Sequence, residues 1–529
     1  MKKYFWPIIL FIVIFAGYLR LINLDTVPPH LGNDEISIAY DSYSVRLIGK
    51  DEHGYSWPLS FKSHRSYKAP LYAYLNIPFN YVLGNTEYGI RTLSAIAGSV
   101  SVVLTGVIGN IIAGPVVGLI AALLMAIDPK NIFASRIGYE ANLATAVLLV
   151  GVWGLLNFVR LKKNGWLILG SFFMGLSIWS YHTQWGLVPM LMVAMPLLFR
   201  KEINIKRWWL GWLIVVMVAA PILYNFVTVQ RADANNRASS QIWLGDGQFK
   251  DYLAKSSDSQ LKKWAKTLVI PNYYYAEHFD LAVNFSSGSD FFNGRSPINN
   301  GWFLLAGLPL IIIGLTKGEE LLGKWWTFVL VWWLLCPIIP ATTGTVSAVR
   351  NLVFIVPTSL LTAAGTAYLI KTKSKWLWLI VALMIFNFAV FSRTYYIHFP
   401  KDSGNNFQYG YKQAWEFIKP NIAKYDKVVV EDRFGLTGQF TGVPHLYFGY
   451  FGAFTVNEMQ KRYNTDGLNI GKYIFKYVDW NKENYQPKTI YIVSAINPKA
   501  GAIADKLKQL EIIKNTDNEN QFIIYETTE

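Results

Sequence analysis

The sequence predicts a polytopic α-helical membrane protein of about eleven spanning helices, with interfacial helices in its first outer loop and a C-terminal extracytoplasmic α/β domain. Three observations predict it. Apolar runs long enough to cross a ~30 Å hydrocarbon layer recur between residues 4 and 396. Lysine and arginine gather in alternate connections between those runs. After residue 397 the pattern changes to short β-branched runs separated by amphipathic stretches.

Composition narrows the class. Of 529 residues, 52% are apolar, more than a soluble chain of this length can bury. The net charge of +15 would suggest nucleic acid in a soluble protein, but here the cations mark topology, and no nucleic-acid partner is expected. Cys336 is the one cysteine and sits in an apolar run, which excludes internal disulfides and cysteine-based metal sites. The N-terminal lysines and apolar run resemble a signal peptide. The run is long and lacks a small-residue cleavage site, so it reads as an uncleaved first span.

The expected spans lie near 4–22, 91–112, 114–128, 141–159, 165–180, 183–199, 208–228, 301–316, 325–341, 350–370 and 376–396. With the N-terminus inside, the inner connections hold Lys2 and Lys3; Arg160, Lys162 and Lys163; Arg200, Lys201, Lys206 and Arg207; Lys317 and Lys324; and Lys371, Lys373 and Lys375. Two long segments, 23–90 and 229–300, then fall outside, as does the tail. In the first loop Glu35–Ile48 and Pro70–Leu83 read as helices lying in the interface. A span at Pro70–Leu83 would put the lysine-rich turns outside, which argues against one. The chain therefore divides into a membrane domain, 1–397, and a soluble α/β domain, 398–529. The tail's expected strands are Val428–Val430, Ile490–Val493 and Phe522–Tyr525, and its expected helices Trp415–Ile418 and Ala502–Leu510.

Five polar groups near the outer ends of spans need explaining. Gly32-Asn33-Asp34-Glu35 opens an interfacial helix. Its carboxylates either serve the helix N-terminus or make Asp34 a general base. Lys68, two residues before Pro70, either snorkels to head groups or holds a phosphate. Arg136 and Glu140 flank the fourth span's start. They pair and cap the helix, or they face a watery cavity where an acid at a span end is tolerable. Tyr181-His182-Thr183 forms a tight turn between spans five and six. A lone histidine there is more often structural, though it can donate to a phosphate or join a metal site. Arg350 begins the tenth span on the side where cations are disfavoured, which points to an anionic partner. No HxxxH or CxxC spacing argues for a metal. The acidic groups leave a divalent ion admissible without requiring one.

Together these motifs resemble the GT-C superfamily of polyprenyl-phosphate-dependent glycosyltransferases, in its protein O-mannosyltransferase and aminoarabinose transferase branch. The similarity covers roughly residues 1–400. It rests on Asp34-Glu35, Lys68-Ala69-Pro70-Leu71, Ser135-Arg136…Glu140, Tyr181-His182-Thr183 and Ala348-Val349-Arg350. Their order and placement between spans are more specific than any one of them. The chain departs from the family at Ala69, often proline, and at Glu140, often aspartate.

The resemblance implies transfer of a sugar from a lipid-linked donor on the outer leaflet of the cell membrane, and attack on the anomeric carbon opposite the phosphate would invert it. By analogy Asp34 takes the base position and Lys68 the phosphate position. Arg350 and His182 would assist at the phosphate and Glu140 at the acceptor or base, with Glu35, Arg136 and Tyr181 in support. Expected partners are a polyprenyl-phosphate-linked sugar, membrane lipids and an acceptor that is protein, glycan or lipid. Two rival classes are a lipid or solute transporter and a non-catalytic surface binding protein. A transporter would place ionisable residues near the midplane or in interrupted helices, whereas these span interiors are almost uncharged.

Overall fold

The computed structural model describes residues 2–63, 66–230, 259, 262–263, 272–287, 301–343, 346–434, 440–497 and 503–528. Most of the segment 229–300, expected outside, therefore lies beyond the described residues, as do Gly344 and Thr345 within the motif before Arg350.

Each expected apolar run is found as an apolar helix. Phe5–Leu21 (α1) is followed, after Asn33–Ile48 (α2) and Leu71–Leu83 (α3), by Glu87–Ala113 (α4). Pro115–Ile127 (α5) and Pro129–Ser135 (α6) form a pair bent by 61°. Glu140–Leu161 (α7), Asn164–Ile178 (α8), Gln184–Leu198 (α9) and Ile205–Val229 (α10) follow. Then come Leu305–Lys317 (α11), Trp325–Ala341 (α12), Leu352–Lys371 (α13) and Trp376–Asp402 (α14). Among the described residues five helices, α4, α7, α10, α13 and α14, are long and apolar enough to cross a membrane, or six with the bent pair as one span. The protein is multi-pass.

The chain forms two compact units. The first comprises Met1–Ile22, Leu59–Tyr72 and Thr92–Thr394. Its core is helix against helix, and in lipid such contacts depend on close backbone approach at small residues. Gly154 of α7 faces Gly170 of α8, where an added Cβ would lie 2.6 Å from the opposite Cα. Gly365 of α13 meets α11 so closely that a Cβ would run into the Leu310 carbonyl oxygen. The bend between α5 and α6 follows from Pro129, which cannot continue the hydrogen-bond ladder. Asp128 caps the new helix by accepting the Asn131 N–H at 2.8 Å. The carbonyls left open at the end of α5 are met by Arg20 of α1. Its guanidinium donates to the oxygens of Ala126 (3.2 Å) and Met125 (3.2 Å) and to the Asn131 side chain.

The second unit comprises Asn23–Pro58, Ala73–Arg91 and Tyr395–Glu529. Its seven-stranded sheet has the order β10-β11-β9-β3-β8-β7-β6. In chain order after the small hairpin Phe61–Ser63 (β1) and Ser66–Lys68 (β2), the strands are Lys427–Glu431 (β3), Arg433–Phe434 (β4), Phe440–Thr441 (β5), Tyr463–Asn464 (β6), Leu468–Ile470 (β7), Tyr473–Lys476 (β8), Thr489–Ser494 (β9), Leu507–Lys514 (β10) and Asn520–Thr527 (β11). β3 runs parallel to both β8 and β9, and its Val428, Val429 and Val430 are fully buried, as a central parallel strand requires. The three expected strands and the helix at Trp415, Tyr411–Ile418 (α15), are present. The expected helix Ala502–Leu510 is not found over its described residues, 503–510. A 3-10 turn covers Ala504–Lys506 and β10 follows, pairing with β11 from Leu507↔Thr527 onwards. Ladder hydrogen bonds to a neighbouring strand outweigh the weak helical spacing of Leu507 and Leu510.

Residues 23–58 and 73–91, from the long segment after α1, fold into this second unit. α2 packs on Pro444–Tyr450 (α16), where Gly449 leaves room for the Tyr40 ring, and the Tyr447 hydroxyl donates to the Leu31 carbonyl at 2.6 Å.

Candidate active site

Asp34 and Glu35 occupy the first turn of α2. Gly32 precedes the helix in extended conformation and donates its N–H to Glu35 Oε2 at 3.0 Å. The same carboxylate takes a two-pronged contact from Arg91, Nε to Oε1 at 2.9 Å and Nη2 to Oε2 at 3.1 Å. Both side chains are fully buried. Arg91 spends its remaining donors on the carbonyls of Leu24 (2.9 Å), Pro28 (2.8 Å) and His30 (2.5 Å). A guanidinium carries five N–H donors, and here all five are matched. Glu35 thus caps the helix and anchors a buried cation. Asp34 stands exposed one residue earlier.

Beside this pair, Glu87 accepts from Lys412 Nζ at 2.8 and 3.0 Å and contacts His30 Nδ1 at 3.2 Å. Burial lowers the His30 pKa, and Glu87 opposes the shift. A further charged cluster joins Glu52, His53, His445 and Arg462. Burial by itself would raise the Glu52 carboxyl, but His445, His53 and Arg462 hold it at about 2. These groups all belong to the second unit.

The other expected residues belong to the first unit. Lys68 is buried at the end of β2, opposite Phe61. Arg136 is fully buried beyond the C-terminal end of α6, and its Nη1 donates to the Leu19 carbonyl near the end of α1 at 3.0 Å. Glu140 is half-buried as the first residue of α7. Tyr181 and His182, both half-buried, form the turn between α8 and α9, with the imidazole 5.4 Å from the Trp185 ring. The structure ties this turn to the start of α13: the Thr183 hydroxyl donates to the Arg350 carbonyl at 3.2 Å. Two motifs 167 residues apart in sequence are thus brought together.

Sequence reasoning missed Arg20, Arg91 and Lys130. Lys130 is buried on α6, where it donates to the Asn351 carbonyl at 2.9 Å and lies 3.8 Å from the centre of the Trp302 ring. The signal was present. Arg20 and Arg91 sit at span ends assigned to the outer side, and the argument that singled out Arg350 applies equally to them. Among the described residues no group of three His, Cys, Asp or Glu side chains is placed to hold a metal ion.

Comparison with known proteins places the fold. Residues 67–225 match the family model described as dolichyl-phosphate-mannose-protein mannosyltransferase. No curated protein matches the chain in sequence. Among solved structures, ArnT from Cupriavidus metallidurans in the apo state aligns at TM-score 0.54 and 13% identity, covering 99% of this chain and 98% of that one. ArnT bound to undecaprenyl phosphate aligns at the same TM-score and identity, covering 99% and 97%. The resemblance to the GT-C superfamily, carried in the sequence by five short motifs, thus holds for the fold across nearly the whole chain.

Proposed function

We propose that this protein is an inverting glycosyltransferase that moves a sugar from a polyprenyl-phosphate donor to an acceptor hydroxyl at the outer face of the plasma membrane. Asp34 is the general base. It takes the acceptor's proton as the acceptor oxygen bonds to the anomeric carbon, while the bond from that carbon to the phosphate oxygen breaks. The transition state has oxocarbenium character, as in glycoside hydrolysis. Lys68, Arg350 and His182 stabilise charge gathering on the departing polyprenyl phosphate. Glu140 orients acceptor or base, with Glu35, Arg136 and Tyr181 in support. The undecaprenyl phosphate bound by ArnT is a reasonable first carrier to test.

One observation carries the reading. Glu35 is held by Arg91 in a fully buried ion pair, and that contact fixes the helix turn on which the Asp34 carboxylate is exposed. A reactive group needs such a fixed support. The test is reconstitution of the purified protein with an undecaprenyl-phosphate sugar and an outer-surface acceptor fraction. Equal release of undecaprenyl phosphate and transferred sugar supports the reading, and absence of both removes it.

The break between α5 and α6, with Arg20 and Lys130 buried beside it, favours a second reading as a transporter. Movement of a lipid-linked sugar across proteoliposomes without its cleavage would establish that function instead.

A further inference from the structure

Around Lys130, the first unit buries a group of polar atoms that have no hydrogen-bond partner among the described residues. They are His278 Nε2, Trp302 Nε1, Asn284 Oδ1 and both side-chain polar atoms of Asn351. His278 is fully buried, and the other three residues are at most 3% exposed. Hydrogen bonds bring them together: the N–H of Phe303, the residue after Trp302, donates to the Asn284 carbonyl at 2.8 Å. Lys130 reaches the Asn351 carbonyl and the Trp302 ring, and its backbone N–H donates to the Trp302 carbonyl at 3.3 Å. Asn284 donates its amide to the His278 carbonyl at 2.9 Å. Asn351 directly follows Arg350.

A buried polar atom left without a partner is destabilising, since it has given up water and gained nothing in return. Several in one place are unlike an ordinary membrane-protein core and call for a ligand or water. Their chemistry restricts the ligand. His278 Nδ1 donates to the Tyr274 carbonyl at 2.7 Å, which leaves Nε2 as an acceptor. Burial, aided by Lys130 and opposed by that hydrogen bond, pushes the pKa down to about 4, so the ring is neutral at physiological pH. Trp302 Nε1 only donates, Asn284 Oδ1 only accepts, and Asn351 does both. Phosphate oxygens would face bare acceptors here, and an ammonium group would waste the donors. Hydroxyl groups, each donor and acceptor at once, satisfy both kinds.

We infer that His278, Trp302, Asn284 and Asn351 bind the sugar hydroxyls of the glycosyl donor, next to the Arg350 proposed for its phosphate. The inference rests on the glycosyl-transfer reading and deepens it. The cluster gives the enzyme its preference for a sugar-bearing carrier over the spent carrier. It also lets product leave, because polyprenyl phosphate alone makes none of these contacts.

The test uses the full-length protein in nanodiscs, with Asn351→Leu as the main variant because that side chain has no bond among the described residues to lose. Binding is measured for bare undecaprenyl phosphate and for undecaprenyl phosphate carrying mannose or aminoarabinose. The wild type should prefer a sugar-bearing probe by about tenfold, the worth of one or two hydrogen bonds. Asn351→Leu should bind both forms alike while holding bare carrier within about twofold of wild type, and the ligand-free variant should melt no lower than wild type. His278→Phe should erase the same preference. A preference that survives both substitutions, or a wild type with none, overturns the inference. So does a lower melting temperature for Asn351→Leu, which would mean that the amide serves the fold through ordered water. A wild type that binds no form of undecaprenyl phosphate instead overturns the glycosyl-transfer reading itself.

Discussion

Arg91 and Glu35 form a fully buried, two-pronged ion pair, and the same guanidinium collects the carbonyls of Leu24, Pro28 and His30. Burying two charges is costly, and the arrangement persists only because every donor is matched. Arg91→Ala would leave a buried carboxylate and three open carbonyls. We expect a loss of about 3–5 kcal/mol, read as a lower melting temperature. Arg91→Lys keeps the charge but loses the planar fork, and should recover only part of it. Equal stability of wild type and Arg91→Ala would show that the network contributes nothing to the fold.

Asp34 is exposed, so changing it should leave the fold intact. Asn keeps the size of Asp and gives up only the favourable interaction of the charge with the helix N-terminus, a few tenths of a kcal/mol at an exposed site. Asp34→Asn should keep its stability within about 0.5 kcal/mol of wild type while losing roughly 10²–10⁴-fold in transfer rate, the usual worth of a general base. A variant that transfers sugar at the wild-type rate would remove Asp34 from the mechanism.

Lys68→Ala and Arg350→Ala should each weaken donor binding by about 1–3 kcal/mol if the side chains bond directly to phosphate. Calorimetry with undecaprenyl phosphate separates this from effects on rate. Donor affinity that does not change in either variant would count against both assignments.

Acid should loosen the second unit through Glu52. Its carboxyl titrates at about 2 in the folded chain, against 4.5 ordinarily. The unfolded state therefore binds the proton more readily between those values. The stabilisation is complete above pH 4.5 and is lost as pH falls towards 2, on the order of 3 kcal/mol in total. Urea melts at pH 5 and pH 2.5 should differ less in Glu52→Gln than in wild type.

How much could be read from the sequence followed the solvent. Lipid demands long apolar runs, and each run predicted from residue 4 to 396 is found as an apolar helix. The central valines of β3 were legible for a related reason, since burial on both faces leaves an unbroken β-branched run. Leu507–Lys514 was not legible, because its apolar spacing fits a helix turn as well as a strand, and pairing with β11 decided the matter. At the candidate site, residue types and order were readable, but their partners were not. Nothing local says that Glu35 meets a guanidinium 56 positions later, or that Thr183 reaches Arg350. The buried atoms around Lys130 were invisible for the same reason: a missing hydrogen bond has no sequence pattern.

The role of Arg20 sets an order on how the membrane portion can be assembled. The bend after Ile127 leaves backbone oxygens that its own helix cannot use, and a side chain synthesised more than a hundred residues earlier completes them. The broken segment can settle in the bilayer only once the first helix is already there. A translocon releasing helices in the order of synthesis supplies that sequence of events, whereas a chain refolded from denaturant must find the contact by search.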